Sequence, residues 1–225
     1  MKHLLLALLV LSPLATHAAK APDPALLPVQ DVAGLPRVML IGDSISMGYT
    51  LPVREIFKGV ANIHHPPANC GDTARGLQFL DRWLGDGKWD VIHFNFGLHD
   101  LKYLDEKGNY VPPAKGKQVA PLPVYEKNLR ELVARLKKTG AKLIWCSTTP
   151  VPDGTTGRVK DAELDYNRVA ASVMKENGIA IDDLHALAAA HQTEYQRPQN
   201  VHFSKEGSQK LAEQVAASIK AQLAK

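Results

Sequence analysis

Long apolar runs are scarce in this chain. Past the opening stretch ending at Leu14, no segment approaches the roughly 18 consecutive apolar residues of a membrane-spanning helix, so no integral membrane segment is expected in the mature chain. Cysteine is nearly absent: Cys70 and Cys146 are the only two, too few for a disulfide-stapled scaffold, and their spacing matches no metal motif. Charge is not segregated either. The 27 Lys and Arg are interspersed with 23 Asp and Glu, as in Glu126-Lys127 and Arg130-Glu131, which leaves no basic block to follow a phosphate backbone and no expected nucleic-acid partner. Internal repeats and low-complexity tracts are also missing, which sets aside solenoids and disordered arrays.

What remains is an ordinary globular composition, 45% hydrophobic and 22% charged over 225 residues, enough for one domain with a sizeable core. Met1-Lys2-His3 followed by the apolar Leu4–Leu14 and the small-residue pattern Thr16-His17-Ala18 reads as a signal peptide over 1–18, cleaved after Ala18. Its removal takes only one charge, that of Lys2, and implies a secreted or periplasmic protein. A proline-rich leader over 19–36 follows, and residues 37–225 are expected to form the domain proper.

Within that domain, strand-like and helix-like patterns alternate. Arg37–Ile41 is a short apolar run ending at Gly42-Asp43-Ser44, a buried parallel strand entering a turn. A short helix near Pro52–Lys58, a strand over Val60–Ile63, a helix over Thr73–Leu84 and a strand over Val91–Phe96 come next. The stretch Asp105–Pro123, rich in proline and glycine, reads as a long surface insertion. Tyr125, Leu129, Leu132, Val133 and Leu136 mark one face of a helix, with Glu126/Arg130 and Glu131/Arg135 as supporting pairs. Strands at Ala141–Cys146 and Gly178–Ile181, a helix over Leu164–Glu176 and a last helix capped by Ser204 complete the series. Such alternation implies a parallel sheet covered on both faces, with ligands placed beyond the carboxyl ends of its strands.

Four segments stand at those ends or ahead of the last helix: Gly42-Asp43-Ser44-Ile45-Ser46, Gly71-Asp72-Thr73, Gly97-Leu98-His99-Asp100 and Val201-His202-Phe203-Ser204. In this order they resemble the ordered blocks of the SGNH (GDSL) hydrolases, a resemblance spanning residues 42–204. It implies a flavodoxin-like three-layer α/β/α sandwich around a mostly parallel five-stranded sheet. It also implies a serine esterase, which the signal peptide makes an exported one; no metal and no other cofactor is expected. Ser44 becomes the nucleophile, His202 its general base, and the N–H groups of Ser44 and Gly71 the oxyanion hole. A serine hydroxyl is a weak nucleophile until a base takes its proton, and the oxyanion that develops needs donors already in place. In the family's sheet order the two cysteines lie beyond strands separated by two others, so two separate thiols are expected.

Two positions depart from the family pattern. His99 stands where an asparagine normally donates to the oxyanion; a neutral imidazole has one N–H and can do the same, or it can simply line the cleft. Gln199 stands where an acid normally orients the histidine, with Asn200, Glu194 and Asp153 as other supports. Asp43 and Asp100 are expected to serve turns and helix starts. The adjacent His64 and His65 should diverge rather than share a metal, and Trp83, Trp89 and Trp145 should pack in the core, unless one reaches the cleft to stack on a sugar. The expected substrate is a small-molecule or glycan ester, with O-acetyl groups on carbohydrate favoured by export and family habit. An impaired glycan-binding protein and an acyltransferase on the same fold are the alternatives.

Overall fold

The computed structural model describes residues 21–224; the signal peptide expected at 1–18 and the first two residues of the leader lie outside the described residues. The rest of the leader is tied down, beginning with a single 3-10 turn at Pro24–Leu26. Val32 N–H donates to Asn62 Oδ1 (2.9 Å), and Asp31 bonds both Arg37 Nε (2.7 Å) and His64 Nε2 (2.6 Å).

The strands in chain order are β1 (Arg37–Ile41), β2 (Asn62–His64), β3 (Val91–Phe94), β4 (Tyr103–Leu104), β5 (Lys117–Gln118), β6 (Lys142–Cys146) and β7 (Ala180–Asp182). Five of them form an all-parallel sheet in the order β2-β1-β3-β6-β7. The other two, β4 and β5, make a small antiparallel hairpin at the insertion. Val38, Leu40, Val91, Ile92, Phe94 and Ile144 are fully buried, as continuous apolar strands must be when helices cover both faces.

The helices are α1 (Ser44–Ile56), α2 (Thr73–Leu84), α3 (Leu122–Lys137), α4 (Glu163–Glu176), α5 (Leu184–Ala190), α6 (Gln192–Tyr195) and α7 (Lys205–Leu223). Helices α1 and α7 pack together on one face of the sheet, and α2, α3 and α4 on the other. The result is the expected three-layer sandwich. Chain order reverses between β1 and β3, the switch point beyond which such sheets bind ligands.

Local details differ from the expectations. Helix α1 starts at Ser44 rather than near Pro52, and Pro52 lies inside it. Gly48 explains part of this: a methyl group there would meet Ser208 Oγ at 3.3 Å, so the glycine lets α1 approach α7 closely, and packing rather than propensity makes the helix. The face of α3 formed by Tyr125, Leu129, Leu132, Val133 and Leu136 is buried as expected. Arg130 pairs with Glu126 (2.7 Å), but Arg135 reaches Asp81 of α2 (2.7 Å) instead of Glu131. The short helices α5 and α6 occupy a stretch whose spacing predicts no element. Cys70, beyond β2, and Cys146, ending β6, are separate buried thiols with β1 and β3 between them.

Candidate active site

Asp43 caps α1: its Oδ1 accepts from Ile45 N–H at 2.9 Å. That cap sets Ser44 as the first helical residue, where its own N–H has no intrahelical partner to bond. His202 arrives from the other end of the chain. Gln196 and Phe203 form an antiparallel bridge, Arg197 N–H donates to His202 O (2.9 Å), and Ser204 N–H to Tyr195 O (2.8 Å). Gly207 permits this seat, since a methyl there would overlap the Tyr195 backbone. Ser44 Oγ and His202 Nε2 thereby come within 2.8 Å across 158 residues of sequence.

The other side of the imidazole faces Asn200, not Gln199. Asn200 Oδ1 accepts from His202 Nδ1 (2.7 Å) and also from the His202 backbone N–H (2.9 Å). The expectation for Gln199 is corrected by backbone geometry: at φ 52° it turns its side chain toward Gly154 and onto the cleft wall. Glu194 bonds His191 instead (3.3 Å), and Asp153 caps Gly154 N–H (2.9 Å). Burial lowers the His202 pKa; Arg197 and Arg158 push in the same direction, and Asp43 opposes them.

A cleft of about 480 Å³ lies over this pair, lined among others by Asp43, Ser44, Asn69, His99, Tyr110, Arg158 and His202. His99 receives a hydrogen bond from Lys102 Nζ at its Nδ1 (3.0 Å), so the neutral ring carries its proton on Nε2, 4.0 Å from Asp43 Oδ2. Burial lowers the His99 pKa, with Lys102 and Arg158 adding and Asp43 and Asp72 opposing, so the neutral ring is favoured. Gly71 is engaged within its own loop. Its N–H donates to Asn69 Oδ1 (2.9 Å), and Asn69 rather than Gly71 lines the cleft. Asp100 does not line it either: fully buried, its Oδ1 accepts from Thr73 N–H (2.9 Å) at the start of α2, and burial pushes its carboxyl up to about 7. Asp43 and Asp100 thus each serve a helix start.

Trp83, Trp89 and Trp145 are all buried, leaving Tyr110 as the aromatic ring of the cleft. His64 and His65 part company, to Asp31 and to Ser46 Oγ (2.8 Å). Among the described residues one metal-type group comes together, His93, Cys146 and Asp182 within 4.8 Å of one another. His93 Nε2 is already bonded to Asp182 (2.9 Å), whose other oxygen accepts from Gln214 (2.8 Å). Burial drives the Cys146 thiol far above its ordinary range, which disfavours the thiolate a metal would need.

Asn69, Lys102, Tyr110 and Arg158 carry no signal in the sequence. Asn69, Tyr110 and Arg158 come from separate loop positions that only the fold brings to the cleft, and Lys102 contacts two of the lining residues, His99 and Tyr110.

Solved structures with the same fold include an acetyl xylan esterase, AlAXEase, at 16% identity and TM-score 0.66, covering 81% of this chain and 99% of that one. A lipase/acylhydrolase from Enterococcus faecalis aligns at 19% identity and TM-score 0.67, covering 84% and 97%. Axe2, an acetylxylan esterase from Geobacillus stearothermophilus, aligns at 18% identity and TM-score 0.63, covering 83% and 93%. No curated protein sequence matches the chain. Residues 40–210, most of the domain, match the GDSL-like lipase/acylhydrolase family, and the chain belongs to that family.

Proposed function

We propose that this acylhydrolase is an exported serine esterase that removes acyl groups, acetyl foremost, from carbohydrate by way of an acyl-enzyme on Ser44. The observation that carries the proposal is the 2.8 Å contact between Ser44 Oγ and His202 Nε2 at the floor of an open cleft. His202 takes the serine proton as Oγ attacks the ester carbonyl and returns it to the leaving alcohol; water then repeats the cycle on the acyl-enzyme. Asn200 holds the imidazole in the tautomer with Nδ1 protonated and Nε2 free to accept. The oxyanion is received by the Ser44 N–H at the positive end of α1 and by His99 Nε2–H. Gly71 N–H, the further donor that the family pattern implies, is bonded to Asn69 Oδ1 and would reach an oxyanion only if Asn69 turned away. Asn69, Thr155, Thr156 and Gln199 give the cleft the polar lining that hydroxyl-rich substrates need, and Tyr110 offers a ring face to a sugar. Two of the similar structures are acetylxylan esterases by name, which agrees with this choice. The apolar opening of the chain supports export. Among the described residues no helix is long and apolar enough to cross a membrane.

The direct test is acetate release from O-acetylated xylooligosaccharides beside hydrolysis of aryl esters of increasing acyl length, with Ser44 titrated by a serine-reactive phosphonate. Release of acetate from the sugars with stoichiometric labelling is expected. Hydrolysis confined to long-chain aryl esters would remove the carbohydrate part. Failure of labelling and of all turnover would favour a glycan-binding protein, the reading that the missing acid beside His202 supports.

His99 has its own expected result. His99→Ala should lower kcat by roughly two to three powers of ten with KM little changed, because an oxyanion donor acts mainly in the transition state. His99→Asn, which supplies an N–H donor of similar reach, should keep more of the activity. A change confined to KM would make His99 a wall of the cleft and nothing more.

A further inference from the structure

Arg158, on the segment between β6 and α4, lines the cleft together with Ser44, His99 and His202. Its Nε donates to the Leu98 carbonyl at 3.0 Å, and its guanidinium lies 5.3 Å from the centre of the Tyr110 ring. These contacts hold the side chain in place without using its two Nη groups, and among the described residues no carboxylate pairs with it. Lys102 stands behind the same wall, its Nζ 3.0 Å from His99 Nδ1 and 5.2 Å from the centre of the Tyr110 ring, likewise without an acidic partner among the described residues. Asp43, the one acid lining the cleft, is buried and occupied as the cap of α1. The charge of Arg158 is felt across the cleft, since it disfavours protonation of both His99 and His202.

An immobilised guanidinium with a free fork is matched to a planar anion, which it binds through paired charge-assisted hydrogen bonds. A neutral acetylated sugar leaves that fork unused. We infer that Arg158, backed by Lys102, binds a carboxylate carried by the substrate, so that the acyl group removed sits on an acidic sugar. The inference rests on the proposal that Ser44 is the nucleophile, because that places the scissile ester against the guanidinium wall. Uronic acids and lactyl ethers of amino sugars both present this chemistry.

The experiment compares kcat/KM within two matched pairs: O-acetylated galacturonic acid against O-acetylated galactose, and O-acetylated N-acetylmuramic acid against O-acetylated N-acetylglucosamine. Wild type should favour the acidic member of one pair by roughly tenfold or more, and the favoured pair identifies the source of the carboxylate. Added salt should shrink the preference. Arg158→Gln should bring the ratio near one, and Arg158→Lys should retain part of it. Equal rates in both pairs for wild type would overturn the inference, as would a preference that survives in Arg158→Gln. A second measurement does not depend on turnover or on an Arg158 variant that folds. Calorimetric binding of the four deacetylated sugars to Ser44→Ala should rank one acid above its neutral partner by a similar factor. Equal affinities would overturn the inference even if ester hydrolysis by Ser44 stands, and preferential binding of an acid with no hydrolysis by wild type would instead sink the esterase reading.

Discussion

Ser44→Ala is expected to lower kcat for ester hydrolysis by roughly six powers of ten, as the loss of a serine nucleophile does when its base remains. The fold should be untouched. Asp43 would still cap α1 through Ile45 N–H, and the side-chain hydrogen bond removed is the one to His202. On the proposed mechanism what survives is transition-state binding: the N–H at the start of α1 and the His99 donor would still receive the oxyanion, and such remnants support a rate above that of water alone. His202→Ala should be comparably damaging, because nucleophile and base act as a unit and their losses do not add. The measurement is kcat on protein freed of host esterases, with unchanged melting temperature as the control for folding. Turnover close to wild type would remove Ser44 from the mechanism.

The second large effect is expected at Asn200. Replacing the acid of a serine triad by an amide is ordinarily harmful because the amide can rotate and present its NH2 to the histidine, which enforces the wrong tautomer. Here the His202 backbone N–H, which can only donate, shares Asn200 Oδ1 with the ring and so keeps the oxygen turned toward it. Asn200→Leu removes that acceptor and should lower kcat by about two to four powers of ten. Asn200→Asp keeps both hydrogen bonds and adds a full charge, which stabilises the imidazolium. The His202 pKa, which burial holds below the ordinary histidine value, should then rise. The sign for activity follows from the base being needed in its neutral form. Raising its pKa moves the acid limb of the kcat/KM profile to higher pH, so activity falls in mildly acidic buffer and rises in mildly alkaline buffer. Gln199→Asp, one position away in the chain, should move that limb far less, since the side chain at 199 is turned toward Gly154 and makes no hydrogen bond to the ring.

Much of the fold is legible in the sequence because its signals are local. Helix α2 begins and ends where the leucine spacing of residues 73–84 places it, and the buried face of α3 is the one its periodicity marks. The start of helix α1 is not legible, because Ser44–Gly48 carries little apolar periodicity; its identity comes from contact with α7, which the sequence of either helix does not announce. The site divides in the same way. Ser44, His99 and His202 stand in motifs at strand ends or ahead of a helix, so their convergence follows from the order of the blocks. The partner of His202 does not, because a left-handed turn at Gln199 decides which neighbouring amide meets the ring. Lys102, Tyr110 and Arg158 are further still from legibility, since no spacing rule connects residues whose loops meet only after the sheet has formed.

The amide at Asn200 has a consequence for which molecules the cleft tolerates. A triad carboxylate would stand as a permanent anion on the far side of the imidazole, and its field would reach into the cleft and repel any ligand of like sign. With Asn200 that repulsion is gone, while the cations of Arg158, Lys102 and Arg197 remain. Base strength and tolerance of an anionic ligand are therefore set against each other at position 200, where an amide favours the second, and Asp43, as the cap of α1, is the acid that stays in the cleft lining.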